Sequence, residues 1–288
     1  MLNTNFFNKL LFSFFLFLPF LATHETRAAV PVSDISQSSL QRDEHQSFEN
    51  LIKSAEQGNS AAQVNLGVMY HNGEGVPQDY AKAFELYTKA AEQGNSDAQV
   101  NLGIMYENRQ GVSQDYKKAV EWYTKAAELK NITAQFNLGG LYLNGQGVPQ
   151  DYKKAVEWYS KAAEQGNSDA QVNLGIMYGK GQGVPQDYAK AFELYTKAAE
   201  KGDALAQFHL ADMYDEGLGV EKDEKKMIGL LQLSAAQGYS PAQYFLGKMY
   251  AEGKGIEKSD KKAIEWYTKA ADQGVELAKE ALAKVNQK

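Results

Sequence analysis

One stretch of this chain has the residue types and the spacing of a known nucleophilic centre. Residues 259–262 read Ser-Asp-Lys-Lys, which matches the S-x-x-K pattern of serine β-lactamases, where the lysine can help to activate the serine hydroxyl. The sequence contains neither the S-D-N nor the K-T-G element that accompanies this pattern. Because Ser259 also stands where a helix is expected to start, we interpret it as a capping residue rather than a nucleophile.

Other residue types suited to chemistry are absent or scattered. The sequence contains no cysteine, which excludes disulfides, thiolate zinc sites and cysteine nucleophiles together. Four histidines are present, His24, His45, His71 and His209, and they do not have the spacing of a metal site. The sequence therefore predicts no catalytic residue, no cofactor-binding residue and no metal ligand.

Side chains that could bind a partner recur at a fixed interval of 36 residues. The row consists of Asn65, Asn101, Asn137 and Asn173, continued by His209 and Phe245. Such a row of amides could hold the backbone of an extended peptide. It could instead form a ladder of hydrogen bonds between repeats, which is the favoured interpretation because buried polar side chains need partners whether or not a ligand exists.

Two further positions break a pattern that the rest of the chain keeps. Asp212 stands where the other repeats carry Val, Ile, Gly or Lys, and Leu233 stands where the other full repeats carry Lys. Positions that vary within a repeated framework are free to specialise for partner binding, although unselected drift would leave the same pattern. An exposed apolar residue in place of Lys predicts a contact patch at Leu233. The alternative is local repacking around Gly229.

These candidate residues are placed by a strong internal repeat. Residues 62–70 (Ala-Gln-Val-Asn-Leu-Gly-Val-Met-Tyr) return in similar form from positions 98, 134, 170, 206 and 242. A period of this length indicates a solenoid, in which each repeat buries its apolar face against its neighbours. We predict a half repeat at 48–61, six full repeats (62–97, 98–133, 134–169, 170–205, 206–241 and 242–277) and a C-terminal capping helix at 278–288.

Each repeat is predicted to contain two helices. The S-x-x-Q pattern of residues 60–63 predicts a capping box at the start of the first helix, and Gly73 is suited to its end. Asp79 is expected to cap the second helix. Gly67 inside the first helix suggests a close approach between helices. In the second repeat Arg109 replaces the turn glycine, so that either its neighbour takes up the left-handed conformation or the loop is strained.

The repeated residues resemble the Sel1-like repeat, a relative of the tetratricopeptide repeat. The third repeat carries the pattern most completely, in Ala134, Leu138, Gly139, Tyr142, Gly145, Gly147, Val148, Asp151, Lys154, Ala155, Trp158, Tyr159, Lys161, Ala162, Ala163 and Gly166. The similarity covers about residues 48–288. It implies an all-α fold, a right-handed superhelix of antiparallel helix pairs, and a role in protein–protein association. The family has no shared catalytic residues to transfer.

The N-terminus has the character of a secretory signal peptide. Lys9 precedes the apolar run 10–21, and the small residues Ala28 and Ala29 follow. We predict a signal peptide at 1–29 and export to the periplasm or the medium. The apolar run is shorter than the roughly 20 residues of a membrane-spanning helix, so no stable membrane span is expected after cleavage; the alternative is an uncleaved anchor.

Residues 30–47 are polar and lack a period, which predicts a flexible leader into the array. The net charge of −6 disfavours nucleic acid as a partner, because a polyanion would be repelled. The sequence thus favours an exported, non-catalytic scaffold that binds a protein or peptide along the superhelix. The alternatives are a β-lactam-hydrolysing or penicillin-binding relative within the wider family, and a structural protein of the cell envelope.

Overall fold

The computed structural model describes residues 37–285, with side chains from residue 47 onward. The chain divides into two parts, Met1–Glu49 and Asn50–Lys288. Of the first part, only residues 37–49 are described, and they are helical. The predicted signal peptide lies outside the described residues.

Every regular element in the described residues is an α-helix. The helices are α1 (Gln37–Glu56), α2 (Ser60–Asn72), α3 (Tyr80–Glu92), α4 (Ser96–Asn108), α5 (Tyr116–Glu128), α6 (Ile132–Asn144), α7 (Tyr152–Glu164), α8 (Ser168–Lys180), α9 (Tyr188–Glu200), α10 (Ala204–Glu216), α11 (Glu224–Ala236), α12 (Ser240–Glu252), α13 (Asp260–Asp272) and α14 (Glu276–Val285). Each full repeat therefore supplies two helices of 13 residues.

Among α2 to α14, each helix packs mainly against its neighbours in the sequence. The more extensive contact is within each repeat, as between α2 and α3, and the smaller one joins consecutive repeats, as between α3 and α4. A small contact between α12 and α14 skips one helix. This arrangement is an all-α solenoid of repeats of about 36 residues, as the sequence predicts.

Two predicted boundaries differ from the observed ones. Helix α1 begins at Gln37, so that residues 37–47 are helical where the sequence predicts a flexible leader. Helix α14 spans Glu276–Val285 and begins two residues before the predicted start at 278. This helix could not be predicted from the sequence, because residues 37–47 are polar and lack the apolar stripe on which helix prediction depends.

The predicted capping box at residues 60–63 is wrong by one residue. The cap of α2 is Asn59, whose Oδ1 accepts the backbone N–H of Ala62 at 2.9 Å, and Ser60 is the first helical residue. Gln63 points into the core instead of back to the cap. Second helices start as predicted, because Asp79 accepts the backbone N–H groups of Ala81 and Lys82.

In five of the six full repeats, the first helix touches the second through a glycine. A Cβ atom added at Gly67 would lie 2.6 Å from Cε1 of Tyr87, which is closer than real Cβ contacts come. The same pairing recurs at Gly103, Gly139, Gly175 and Gly247. In the fifth repeat Ala211 replaces the glycine and Leu231 replaces the tyrosine. The smaller leucine makes room for the extra methyl group, so the two positions vary as a pair.

The C-terminal cap of α4 is strained. Arg109 adopts the left-handed conformation with φ 60°, whereas the equivalent Gly73 and Gly145 have φ 76° and 69°. Of the two possibilities left by the sequence, the strained loop is therefore the observed one. The left-handed conformation is roughly 1 kcal/mol less favourable for a residue with a Cβ atom, whereas glycine adopts it without this penalty.

We expect Arg109→Gly to raise the free energy of unfolding by about 1 kcal/mol, because it removes this strain. Urea unfolding followed by circular dichroism measures the change. Gly145→Ala is the matched control and should lower stability, since its φ is 69° and its added Cβ would lie 3.1 Å from the backbone nitrogen of Gln150. Equal stability of wild type and Arg109→Gly would contradict the assignment of strain.

Candidate interaction surfaces

Ser259 is a capping residue in the structure. Its Oγ accepts the backbone N–H of Lys262 at 3.3 Å at the start of α13, in the role that Asp79 has at α3. Within residues 47–285, no group of three or more His, Cys, Asp or Glu side chains is arranged to hold a metal ion. Nor is any helix of this part long and apolar enough to cross a membrane.

The predicted asparagine row lies between consecutive repeats. Asn65 is exposed, whereas Asn101, Asn137 and Asn173 are half-buried. The amide of Asn137 interacts with the hydroxyl group of Tyr123 of the preceding repeat and opposes the rise in its pKa that burial causes, and Asn173 acts in the same way on Tyr159. These contacts are those of an inter-repeat ladder. Peptide binding by this row stays a prediction.

The row ends in two buried aromatic side chains. His209 is 7% exposed and stacks on Tyr195 with ring centroids 4.8 Å apart. Phe245 is 6% exposed and packs against Phe208, at 5.8 Å between centroids. In the repeat before Phe245, Leu231 occupies the position of Tyr123 and Tyr159. Leucine has no hydroxyl group, so an asparagine at position 245 would have no equivalent partner. The burial of both residues leaves little of either for a partner to contact.

Asp212 lies near His209 in the fifth repeat and is half-buried. Burial, and then the charges of Glu216 and Asp215, raise the pKa of its carboxyl group to about 7. For His209, burial and then the charge of Lys180 lower the pKa to about 4. Oδ1 of Asp212 is buried and has no hydrogen-bond partner within the described residues. Because this oxygen is buried, it is not accessible to a partner in this conformation, and partner binding by Asp212 stays a prediction.

A buried glutamine in each repeat was not identified as a packing residue from the sequence. The six side chains are 2–5% exposed and are Gln63, Gln99, Gln135, Gln171, Gln207 and Gln243. In Gln63, Nε2 donates to the carbonyl oxygen of Ala55 at 3.1 Å, and Oε1 accepts from Nε2 of Gln93 at 2.8 Å. Five of the six glutamines donate in this way to the last turn of the preceding helix and so join consecutive repeats. Gln207 accepts a bond from Gln237 of its own repeat. The signal available in the sequence was the recurrence of this glutamine in every full repeat.

This glutamine ladder is incomplete at two places. The residue 30 positions after the buried glutamine is Leu129 for Gln99 and Lys201 for Gln171, instead of a second glutamine. Within the described residues, Oε1 of Gln99 and Oε1 of Gln171 have no hydrogen-bond partner. A buried acceptor without a partner costs about 1–3 kcal/mol. The break at Gln99 thus lowers stability, whereas at the second break Nζ of Lys201 donates instead to the carbonyl oxygen of Gly166 at 2.6 Å.

The exposed face of the second helices carries a regular charge pattern. Glu and Lys four residues apart form ion pairs in four repeats, Glu85–Lys89 at 2.6 Å, Glu157–Lys161 at 2.8 Å, Glu193–Lys197 at 2.6 Å and Glu265–Lys269 at 3.0 Å. An acidic residue follows three positions later, as in Glu92. Exposed pairs of this kind contribute only a few tenths of a kcal/mol each, so the pattern mainly keeps this face charged.

Helix α11 lacks this pattern altogether. Gly229, Leu233 and Ala236 occupy the positions of the Glu, the Lys and the acidic residue, and we call these three residues the uncharged strip. Leu233 is 56% exposed. A Cβ atom at Gly229 would have no atom within 4 Å, so Leu233 does not fill the space beside this glycine. The structure thus gives no support to local repacking as the reason for Leu233.

Comparison with protein-family models finds the Sel1 repeat in seven consecutive stretches. They are residues 36–59, 60–95, 96–131, 132–167, 168–203, 204–239 and 240–275. These divisions place each boundary two residues before the one predicted from the sequence. The first stretch includes α1, which the sequence analysis divided between a leader and a half repeat.

Two solved structures resemble this chain closely. One is a protective antigen present in uropathogenic Escherichia coli strains and displaying an SLR fold, with 45% identity and a TM-score of 0.78. It is matched over 84% of this chain and 52% of its own, so this chain spans about half its length. The other is a Sel1 repeat protein from Oxalobacter formigenes, with 37% identity, a TM-score of 0.73, and 81% and 94% of the two chains covered.

No curated protein matches the chain. The family assignment rests on the repeat model, which matches most of the sequence, and on the Oxalobacter formigenes protein, nearly all of which is matched. Both agree with the helix pairs, the glycine–tyrosine contacts and the period described above. The chain belongs to the Sel1 repeat family.

Proposed function

We propose that this protein is an exported, non-catalytic scaffold that binds another protein, and that the uncharged strip of α11 is a contact surface for it. The observation that supports the proposal is the exposure of Leu233 on a helix face that is charged in the other repeats. Export is proposed from the basic and apolar N-terminal segment, which lies outside the described residues.

The strip is suited to contact with a partner on energetic grounds. Burying a leucine fully is worth about 1.5–3 kcal/mol, and Leu233 retains about half of its surface for a partner to cover. Gly229 and Ala236 have small or no side chains, so a partner can approach the helix closely on both sides of Leu233. A partner that covered Glu193 and Lys197 instead would have to desolvate two charges.

The other candidate functions have less support. The serine required for β-lactam hydrolysis is engaged as the cap of α13, and its neighbouring lysine contributes a backbone N–H to that cap. A structural role in the cell envelope would not require one of six similar helix faces to lose its charges. The scaffold role accounts for this difference between repeats.

The test is to restore the charge pattern with Gly229→Glu and Leu233→Lys together. We expect this variant to gain about 1 kcal/mol in stability, since glycine is replaced within a helix and an i,i+4 ion pair is added. We also expect it to lose the protein partner that wild type retains after crosslinking in the native cell, as identified by mass spectrometry.

The matched control is Lys197→Gln, which changes the same position of the fourth repeat and should leave the partner bound. Because the restored variant is more stable than wild type, loss of the partner cannot be attributed to unfolding. Retention of the same partner at the same yield by the restored variant would contradict the proposed surface.

A further inference from the structure

The turn between α5 and α6 differs from the equivalent turns elsewhere in the array. Residues 129–132 read Leu-Lys-Asn-Ile, whereas residues 57–60, 93–96 and 165–168 all read Gln-Gly-Asn-Ser. We call residues 129–132 the divergent turn. Three of its four residues depart from this pattern, and each departure has a separate structural consequence.

The first consequence is backbone strain. Lys130 has φ 63°, in the left-handed region that a residue with a Cβ atom seldom adopts. The six equivalent positions are all glycine with φ between 84° and 93°, namely Gly58, Gly94, Gly166, Gly202, Gly238 and Gly274. The turn thus keeps the left-handed backbone conformation although Lys130 replaces the glycine that adopts this conformation readily.

The second consequence is a broken hydrogen bond between the first helix of a repeat and the end of its second helix. At the position of Leu129, Gln93 and Gln165 donate to the buried glutamines Gln63 and Gln135. Leucine cannot donate, and Oε1 of Gln99 is left buried without a partner in the described residues. The frame of the array is therefore weakened at the turn where Leu129 is exposed.

The third consequence is an exposed apolar surface. In the described residues, three large apolar side chains stand out as exposed, and two of them lie in this turn: Leu129 at 56% and Ile132 at 37%. Asn131 between them keeps its folding role, since its Oδ1 accepts the backbone N–H of Ala134 at 3.1 Å. The turn thus retains its helix cap while its outward-facing residues have become apolar.

The surroundings of the divergent turn are acidic. Neighbouring turns touch, because Nδ2 of Asn131 donates to Oδ1 of Asp97 at 2.9 Å. The exposed acidic residues that directly flank this turn and the turns before and after it are Glu92, Asp97, Glu128, Glu164 and Asp169. The exposed bases there are Lys130 and Lys201, whose Nζ donates to the carbonyl oxygen of Gly166 in the following turn, so acidic residues outnumber bases. An apolar surface framed by negative charge is complementary to an aliphatic side chain with basic neighbours.

We propose that the divergent turn is a second docking surface, separate from the uncharged strip, for a protein segment that presents aliphatic side chains flanked by lysine or arginine. Leu129 and Ile132 bury the aliphatic side chains of the partner, and the surrounding carboxylates hold its basic residues. The proposal extends the scaffold role to a different repeat and a different edge of the array.

The test compares wild type with the variant Leu129→Gln, Lys130→Gly, Ile132→Ser, which restores the turn of the neighbouring repeats. A displayed library of random peptides is selected on wild type after depletion on the restored variant. We expect enrichment of sequences with Leu, Ile, Val or Phe next to Lys or Arg. Enrichment of acidic or uncharged sequences, or no enrichment after depletion, would overturn the proposal.

One enriched peptide is then synthesised and titrated by calorimetry. The restored variant should bind it at least about tenfold more weakly than wild type, and affinity for wild type should fall as salt is raised from about 0.05 to about 0.5 M. The restored variant should also unfold at a higher temperature, so weaker binding cannot reflect misfolding. Equal affinity of the two proteins, or affinity independent of salt, would refute the surface.

The uncharged-strip variant Gly229→Glu, Leu233→Lys serves as the control and should bind the peptide as wild type does. This control separates the two proposals. Failure of peptide selection with loss of the cellular partner in the strip variant would leave the scaffold role intact and remove only the second surface.

Discussion

Replacing Gly103 with alanine is expected to lower the free energy of unfolding by about 1–3 kcal/mol, although alanine is the better helix former. An added Cβ atom would lie 2.4 Å from Cε1 and 2.7 Å from Cδ1 of Tyr123. That ring is fully buried, and its hydroxyl donates to Oε2 of Glu107 at 2.9 Å, so it cannot move away freely. Urea unfolding of the variant and of wild type measures the difference.

The fifth repeat provides the matched rescue, because it combines Ala211 with Leu231. Tyr123→Leu alone should be destabilising, since it leaves a cavity and removes the bond to Glu107. The double variant Gly103→Ala, Tyr123→Leu should cost less than the sum of the single changes by at least about 1 kcal/mol. Strictly additive effects would contradict the pairing.

Gly229→Ala is the control for helix propensity. No atom lies within 4 Å of its Cβ position, so this substitution should raise stability by about 1 kcal/mol. Two glycines inside helices are thus expected to respond to the same substitution with opposite signs.

Replacing Gln135 with alanine is expected to lower the free energy of unfolding by about 2–3 kcal/mol. The change removes a buried side chain, its bond to the carbonyl oxygen of Ala127 at 3.3 Å, and the acceptor for Nε2 of Gln165 at 2.7 Å. Because the bond to Ala127 joins consecutive repeats, we expect its loss to weaken the coupling along the array. Thermal and urea unfolding both measure it.

The reciprocal change is Leu129→Gln, which supplies a donor to Oε1 of Gln99 and should raise stability by about 1 kcal/mol. It reproduces the pairing of Gln165 with Gln135. If Gln135→Ala were neutral, or if Leu129→Gln were destabilising, the glutamine ladder would have no role in holding the repeats together.

The helices and their order could be predicted from the sequence because the repeat presents the same apolar spacing six times. The cap of α2 could not, since Asn59 and Ser60 are adjacent and both are good capping residues. The spacing of Ser60 and Gln63 favoured the wrong one. What decides between them is the bond from Gln63 to the carbonyl oxygen of Ala55, a contact with the preceding helix that local pattern does not contain.

Some residues of the candidate surfaces could likewise be identified from the sequence and others could not. Leu233 could be identified from the sequence, because an apolar residue replaces a repeated lysine. The roles of His209 and Phe245 could not, because each depends on which residue of the preceding repeat lies opposite. Comparison of the repeats in the sequence could have identified the divergent turn, because Leu129, Lys130 and Ile132 depart from the pattern. Its backbone strain and its broken hydrogen bond could be seen only in the structure, from the φ angle of Lys130 and the missing partner of Gln99.

In the described residues, helices pack mainly within a repeat and against the neighbouring repeats, and we propose that this leaves exposed positions free to vary for partner binding. Deleting residues 132–167 in register joins Asn131 to Ser168 and tests it most directly. We predict a shorter protein that is monodisperse, keeps its helicity per residue by circular dichroism and unfolds cooperatively at a lower temperature. Loss of helicity or aggregation of the purified deletion variant would contradict the claim.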